Sequence, residues 1–588
     1  MNWQTCCPHS ISVVARTLLW ALLVVRTPLA RAAYPAPLEG TGGAVAADHE
    51  LASRAGAAVL ERGGNAVDAA VATALALGVV QPAGSGLGGG GFLVFRSRAG
   101  AVHVLDFREV APRRAHRDMF LDEKTGRPVA ERSRIGGLAV AVPGEPAGLG
   151  EALRRLGTQQ PAQVIAPALA LARDGFPVGP HLARTAERVV HKLPPGHPLR
   201  ALLAPGGKPL AVGQHLRRPE LARTLARLAE RGFSAFYDTA PGGIGAEIVR
   251  AVQQAGGIIE AQDLASYQPL WRTPLVGTFR GWRVYTNPPP GGGLTTLEAL
   301  QVLDAAPPLL GGPGASSTLH MLAEAFKHAF ADRARLLGDP AFVKVPTEEL
   351  ASADYARRLA QRLRDDGILP AAHYGRQGGP AESPRDHGTS HLCVIDAEGN
   401  AAALTTTINL EFGARLVAGT TGVLLNNQMD DFSASPGEPN AFGLVGSEAN
   451  AVAGGKRPLS SMSPLIAVAP DGRILCAGAS GGPTIVTGTV QAVVAVIAFG
   501  QDVQRAVSAP RIHAQFVPDK IFVEGDIPVD VQDGLRRRGH SLVVTRGPGE
   551  AAVQAVLWEP RKEGPARVSA ASDPRKGGLP ALAAARPR

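Results

Sequence analysis

Thr389 is the residue whose setting most suggests chemistry. It follows a stretch, 365–388, that holds Gly367, Pro370, Gly375, Gly378, Gly379, Pro380, Pro384 and Gly388 and has almost no aliphatic pattern. Strand-like text, His391-Leu392-Cys393-Val394-Ile395-Asp396, begins just after it. A Gly/Pro-rich loop of that length in a compact protein is usually functional or disordered. If the Gly388–Thr389 peptide is cut, Thr389 gains a free α-amine with an unperturbed pKa of about 7.7–8. That amine can act as base for the residue's own hydroxyl, one of the established ways to activate a nucleophile. On position alone, an ordinary loop-to-strand junction is the simpler reading.

Other chemistries find little support. The run Gly86-Leu87-Gly88-Gly89-Gly90-Gly91 satisfies G-x-G-x-x-G. A dinucleotide site needs a strand before that motif and a helix after it, so that the pyrophosphate meets a helix N-terminus. Here a helix precedes and a strand follows, so close backbone packing is the reading kept. The 15 histidines include no H-E-x-x-H, and no G-x-S-x-G elbow occurs; a metalloprotease and an α/β-hydrolase both lose support. No metal and no cofactor are expected.

Helices and strands alternate on both sides of the 365–388 stretch. Helical text covers Leu51–Gly64. A second helix opens at Asn65, with Val67, Ala70, Val71, Ala74, Leu75 and Gly78 on one apolar face. Strands are expected at Phe92–Arg96 and Val102–Phe107, and mostly helical text at 144–257. The strand Trp282–Thr286 and a long helix near Ser317–Leu336 follow. Beyond Thr389 come a hairpin through Ala397–Asn400, β-rich text at 464–468, 474–478 and 552–558, and a helix over Val486–Phe499. This pattern suggests one large layered α/β fold rather than a pair of independent domains.

Composition agrees. The chain has 588 residues, 45% hydrophobic and 19% charged, the content of a globular protein with a large core. Glycine (70) and proline (48) are abundant but show no collagen period. Net charge is +9, yet arginines and acids are interleaved and aromatics are only 5%, so no nucleic-acid surface is read from it. Arg16 precedes the apolar run 17–25, too short to span a bilayer. Ala30-Arg31-Ala32 then gives an A-x-A cleavage pattern. Residues 1–32 are therefore expected to be a secretory signal peptide, removed on export to the periplasm or the medium. Nothing later predicts stable membrane insertion. Cys393 and Cys476 alone remain in the mature chain, and both read as small buried apolar residues, with a bridge between them as the alternative. The tail, 576–588, is expected to be disordered.

Several stretches resemble the gamma-glutamyltranspeptidase family. They are Gly388-Thr389-Ser390-His391, Thr405-Thr406-Thr407-Ile408-Asn409, Asn426-Asn427-Gln428-Met429-Asp430-Asp431-Phe432-Ser433, Arg457-Pro458-Leu459-Ser460-Ser461-Met462-Ser463-Pro464 and Asp106-Phe107-Arg108-Glu109-Val110-Ala111-Pro112. The runs 63–70, 85–92, 337–346 and 571–575 add to them, so the resemblance extends from about Ala44 to Arg575 in the family's order. It implies an N-terminal-nucleophile hydrolase fold, a four-layer αββα sandwich with two stacked, mainly antiparallel sheets. It also implies a proenzyme that cuts itself between Gly388 and Thr389, leaving a large subunit, 33–388, and a small catalytic subunit, 389–588.

The resemblance further implies roles for particular residues. Thr389 would be the nucleophile, supported by the hydroxyl of Thr407. Arg108, Ser460 and Ser461 would take the substrate α-carboxylate. Asn409, Gln428 and Asp431 would take its α-ammonium, and Gly481 and Gly482 the oxyanion. Pro436–Ser447 matches a lid, with Phe442 where many bacterial members carry tyrosine. The activity implied is cleavage of the γ-glutamyl bond of glutathione and related amides through a γ-glutamyl-threonine intermediate. The acyl group would pass to water or to an amino acid or dipeptide acceptor. A cephalosporin (glutaryl) acylase-like amidase on the same scaffold, and an exported γ-glutamyl-binding protein without catalysis, are the alternatives.

Overall fold

The computed structural model describes residues 34–374, 388–545 and 551–584. The expected signal peptide, residues 375–387 of the Gly/Pro-rich stretch and the last four residues lie outside them. From Pro37 onward the chain forms one compact unit.

Two seven-stranded sheets organise that unit. One runs in the order Leu38–Gly40, Arg567–Ser572, Ala552–Glu559, Ile474–Ser480, Leu465–Val468, Trp282–Thr286, Leu275–Phe279. The other runs Ala581–Leu582, Gly43–Ala47, Ser390–Asp396, Ala401–Thr407, Gly90–Arg96, Val102–Phe107, Leu270–Arg272. Every pairing within these two sheets is antiparallel. Alternation decides which side chains meet which layer. Cys393, Ile395, Ala401, Ala403, Val94 and Val104 of one sheet meet Ile466, Ile474, Cys476, Val556 and Ala570 of the other in an apolar layer between them. Leu392, Val394, Leu404 and Leu93 point away, into the helices Glu50–Glu61, Ala66–Val80 and Pro161–Asp174. On the far side, the helices Gly293–Ala305, Ser316–Leu336 and Thr484–Ile497 cover the other sheet. The architecture is α, β, β, α.

Helix Ala66–Val80 starts where a cap requires it. The Asn65 side chain accepts from the Val67 and Asp68 N–H groups, and the Asp68 carboxylate accepts from the Asn65 N–H. Its spacing predicted one buried face, but all fifteen residues are buried. The helix is flanked by Glu50–Glu61 and Pro161–Asp174 and lies on the sheet, so no face is left for solvent.

The expected disordered tail is corrected in part. Pro574–Lys576 forms a helical turn, and Ala581–Leu582 pairs with Gly43–Ala47 at a sheet edge. Elements this short carry too little hydrophobic period to register in a sequence. Cys393 and Cys476 are both buried and free. Among the described residues, no helix is long and apolar enough to cross a membrane.

Candidate active site

Thr389 immediately precedes the central strand Ser390–Asp396 and is 5% exposed. Its hydroxyl lies 2.9 Å from that of Thr407, on the next strand. Thr407 Oγ1 also accepts from the Asn409 N–H at 2.8 Å, which leaves the Thr407 proton free to be donated to Thr389. Lys576 Nζ donates to the Thr389 carbonyl at 3.0 Å and stands 3.8 Å from Asp48 Oδ2. Asp48 in turn accepts from Ser480 Oγ at 2.8 Å, so the residue before Gly481 is tied to the Thr389 backbone.

The backbone at the junction is held in an unusual conformation. Thr389 has φ 141° and Gly388 φ 100°. Positive φ strains a β-branched residue. A Cβ on Gly388 would lie 2.7 Å from the Ala83 carbonyl oxygen, and one on Gly84 would lie 3.1 Å from both Thr389 N and O. Glycines at 84 and 388 thus let two backbone segments approach at Thr389.

A chain of contacts leads from Thr389 to a charged pocket. Asn409 Nδ2 donates to the Asn427 carbonyl at 3.0 Å, and the short helical turn Gln428–Asp431 follows at once. Gln428 Nε2 donates to Asp431 Oδ2 at 2.7 Å. The same carboxylate oxygen pairs with Arg108 Nη2. Arg108 is 1% exposed, and its Nε donates to the Pro458 carbonyl at 3.1 Å. Nη2 also lies 3.4 Å from the Leu459 carbonyl, directly before Ser460 and Ser461, both buried. Ser460 Oγ accepts from the Met462 N–H at 3.1 Å. Burial pushes the Asp431 carboxyl up, while Arg108 and the Gln428 amide pull it back. Gln428 Oε1 is buried and makes no hydrogen bond.

Gly481 and Gly482 follow the strand Ile474–Ser480 and open the helix Thr484–Ile497, the positive end of a helix dipole. Gly482 has φ 59°, and a Cβ there would lie 2.7 Å from the Phe442 ring. Phe442 is 6% exposed, so its ring packs directly on Gly482. The segment 436–447 is fastened to the charged turn: the Ala441 N–H donates to Asp430 Oδ2 at 3.1 Å.

Three residues near this site were not singled out from the sequence. Lys576 fell in the tail taken as disordered. Glu109 is fully buried, 3.5 Å from Arg108 Nη1, with neither carboxyl oxygen hydrogen-bonded, and burial pushes its pKa up to about 8. Glu145 accepts from the Thr406 hydroxyl, on the strand beside Thr389, and burial raises it well above the carboxylate range. Their signal was available: Glu109 adjoins Arg108, and Thr406 adjoins Thr407.

His391 is not placed as a base. It is buried between the sheets, 2.8 Å from Thr405 Oγ1, and burial lowers its pKa to about 3. Arranged this way, the site brings together a pair of hydroxyls, a helix N-terminus, and a buried ion pair of one cation and one anion.

Comparison with known proteins gives the same picture. The family model described as gamma-glutamyltranspeptidase matches residues 52–583. The chain is 41% identical over 543 residues to a glutathione hydrolase proenzyme from Escherichia coli (strain K12), covering 92% of this chain and 91% of that one. Among solved structures it resembles a cephalosporin acylase from Bacillus halodurans, with a TM-score of 0.80 and 27% identity over 96% of this chain and 100% of that one. It also resembles gamma-glutamyltranspeptidase from Helicobacter pylori, with a TM-score of 0.52 and 36% identity over 58% of this chain and 95% of that one. The layered architecture is the N-terminal-nucleophile hydrolase fold, and with the match running over nearly the whole chain, this protein belongs to the gamma-glutamyltranspeptidase family.

Proposed function

We propose that this chain is an exported, self-processing gamma-glutamyltranspeptidase in which Thr389 is the nucleophile. It cleaves the γ-glutamyl bond of glutathione and related amides. Cutting the Gly388–Thr389 peptide frees the α-amine, which takes the hydroxyl proton as Thr389 Oγ1 attacks the γ-carbonyl. Thr407 orients that hydroxyl. The Lys576 ammonium, bonded to the Thr389 carbonyl, disfavours a second positive charge nearby and so keeps the α-amine neutral. The amide N–H groups of Gly481 and Gly482 stabilise the oxyanion; losing one such donor typically costs about 2.7–4 kcal/mol in the transition state. The tetrahedral intermediate collapses with loss of the amine, leaving a γ-glutamyl ester on Thr389. Water or the amino group of an amino acid or dipeptide then attacks that ester. No cofactor takes part.

The observation that carries this reading is the direct Arg108–Asp431 pair at the end of the contact chain from Thr389. An α-amino-acid head brings both complementary charges, so it exchanges one ion pair for two. Its carboxylate is taken by Arg108, whose fork suits bidentate binding, with Ser460 and Ser461 beside it. Its ammonium is taken by Asp431, Asn409 and the unpartnered Gln428 Oε1. A glutaryl group lacks the ammonium and would leave Asp431 uncompensated. The deciding experiment compares γ-glutamyl and glutaryl amides of one amine. The expected result is a preference of at least about 100-fold in kcat/KM for the γ-glutamyl amide, the scale of a lost buried charge pairing of 3–5 kcal/mol. Equal turnover would favour the acylase reading.

A further inference from the structure

Away from the active site, one buried cluster has the composition of a metal-ligand set. His320 and Glu324 lie on the helix Ser316–Leu336, at the i, i+4 spacing that puts two side chains on one face. His540, just beyond the helix Val529–Arg537, meets them. One ligand atom from each residue lies within 4.8 Å of the other two, and all three residues are buried. His320 Nδ1 and His540 Nε2 are 2.7 Å apart, so at least one of these nitrogens turns a lone pair into the cluster. No sequence motif marks the set, because 220 residues separate the two histidines.

The surroundings orient these groups as a ligand shell would. His320 Nε2 lies 2.5 Å from the Arg364 carbonyl. That oxygen accepts only from an N–H, which leaves Nδ1 as the lone-pair atom of the neutral ring. A carbonyl that fixes the far nitrogen is the usual support of a metal-bound imidazole. Glu324 Oε2 accepts from the Tyr374 hydroxyl at 2.6 Å and from the Leu369 N–H at 3.5 Å. Lys327 Nζ stands 2.5 Å from Glu324 Oε1 and is the cation that now balances it. Lys327 also has Asp519 at 3.8 Å and the Tyr374 ring at 5.1 Å, so it keeps partners if Glu324 turns to an ion.

We propose that His320, Glu324 and His540 form a binding site for a divalent ion of the zinc class. Two imidazoles and one carboxylate suit such an ion, whereas calcium and magnesium favour all-oxygen sites. Zn–N bonds of about 2.0–2.1 Å in a tetrahedron set ligand atoms roughly 3.3 Å apart. The histidine nitrogens therefore need to separate by about half an ångström, and His540 must carry its proton on Nδ1 so that Nε2 can bind, with a water in the fourth position. Such an ion ties the helix Ser316–Leu336, through its hydrogen-bonded neighbours, to the segment 364–374 and to the C-terminal part of the chain.

The test uses the whole purified protein loaded with Zn2+ or Co2+ and dialysed against metal-free buffer. We expect one ion retained per chain, the visible d–d bands of tetrahedral Co2+ in the wild type, and a raised midpoint of thermal unfolding reversed by a chelator. His540→Asn and His320→Asn should each weaken metal affinity at least tenfold, the usual scale for losing support at such a site. A wild type that retains no ion and shows no Co2+ bands overturns the proposal without any variant having to fold. Unchanged retention and spectra in folded His540→Asn and His320→Asn proteins overturn it as well.

Discussion

Arg108 and Asp431 neutralise each other in this structure, and Glu109 sits within 3.5 Å of the same guanidinium. Burial lifts the pKa of Glu109 to about 8 against the pull of Arg108, and the Asp431 and Asp106 carboxylates push the same way as burial. Below that pH Glu109 is neutral and leaves Arg108 to the substrate carboxylate. Above it the anion competes for Arg108. KM for a γ-glutamyl substrate should therefore rise several-fold as pH goes from about 7 to about 9, with a smaller rise in Glu109→Gln. Comparing the two proteins cancels the titration of the substrate's own amine, and parallel profiles would show that Glu109 plays no part. At this scale the sequence singles out proposed site residues that stand in recognisable motifs, as Arg108, Asp431 and Thr389 do. Glu109 stands in the same stretch as Arg108, but its effect comes from burial and missing hydrogen bonds, which three-dimensional packing alone creates.

At the scale of elements, the strands around Thr389 were readable because alternation and the Ala397–Asn400 turn mark them plainly. The expected strands Val102–Phe107 and Trp282–Thr286 match the structure end to end. Lys576 lies in the C-terminal segment, in a turn too short to register as a hydrophobic period. Its ammonium bonds the Thr389 carbonyl from a helical turn of three residues. Lys576→Ala removes a hydrogen bond from a charged donor, a contact worth about 1.5–3 kcal/mol. The expected outcome is a loss in kcat/KM of roughly 10- to 150-fold, with the acidic limb of the pH profile moved upward as the α-amine becomes easier to protonate. A variant with wild-type kinetics and an unmoved limb would remove Lys576 from the mechanism.

For the molecule as a whole, buried neutral histidines predict acid sensitivity. Burial lowers His391 to about 3 and His513 to about 4. The unfolded chain binds protons at these rings below about pH 6.5, whereas the folded chain does so only near those lower values. The stability these rings contribute is thus full above about pH 6.5 and falls as pH drops toward 4, by up to about 1.4 kcal/mol per unit for each ring. The buried carboxyls Glu109 and Glu145, whose pKa values burial raises, act in the opposite sense. The histidine share is therefore read by comparing urea midpoints of the wild type and His513→Gln. Equal pH slopes between about 6.5 and 4 would contradict it. The two sheets would also hold the chain together after the proposed cut. Strand Ser390–Asp396 lies between Gly43–Ala47 and Ala401–Thr407, and the latter pairs with Gly90–Arg96, so segments from both sides of Thr389 share one sheet. The positive φ angles at Gly388 and Thr389 place backbone strain at the bond proposed to break. The most direct test is the N-terminal sequence of the smaller fragment in purified protein, set beside Thr389→Ala. The account predicts a fragment beginning Thr389-Ser390-His391 in the wild type, and a single uncut, inactive chain in the variant. Cleavage of Thr389→Ala at the same bond, or a wild type that turns over γ-glutamyl amides as one intact chain, would contradict it.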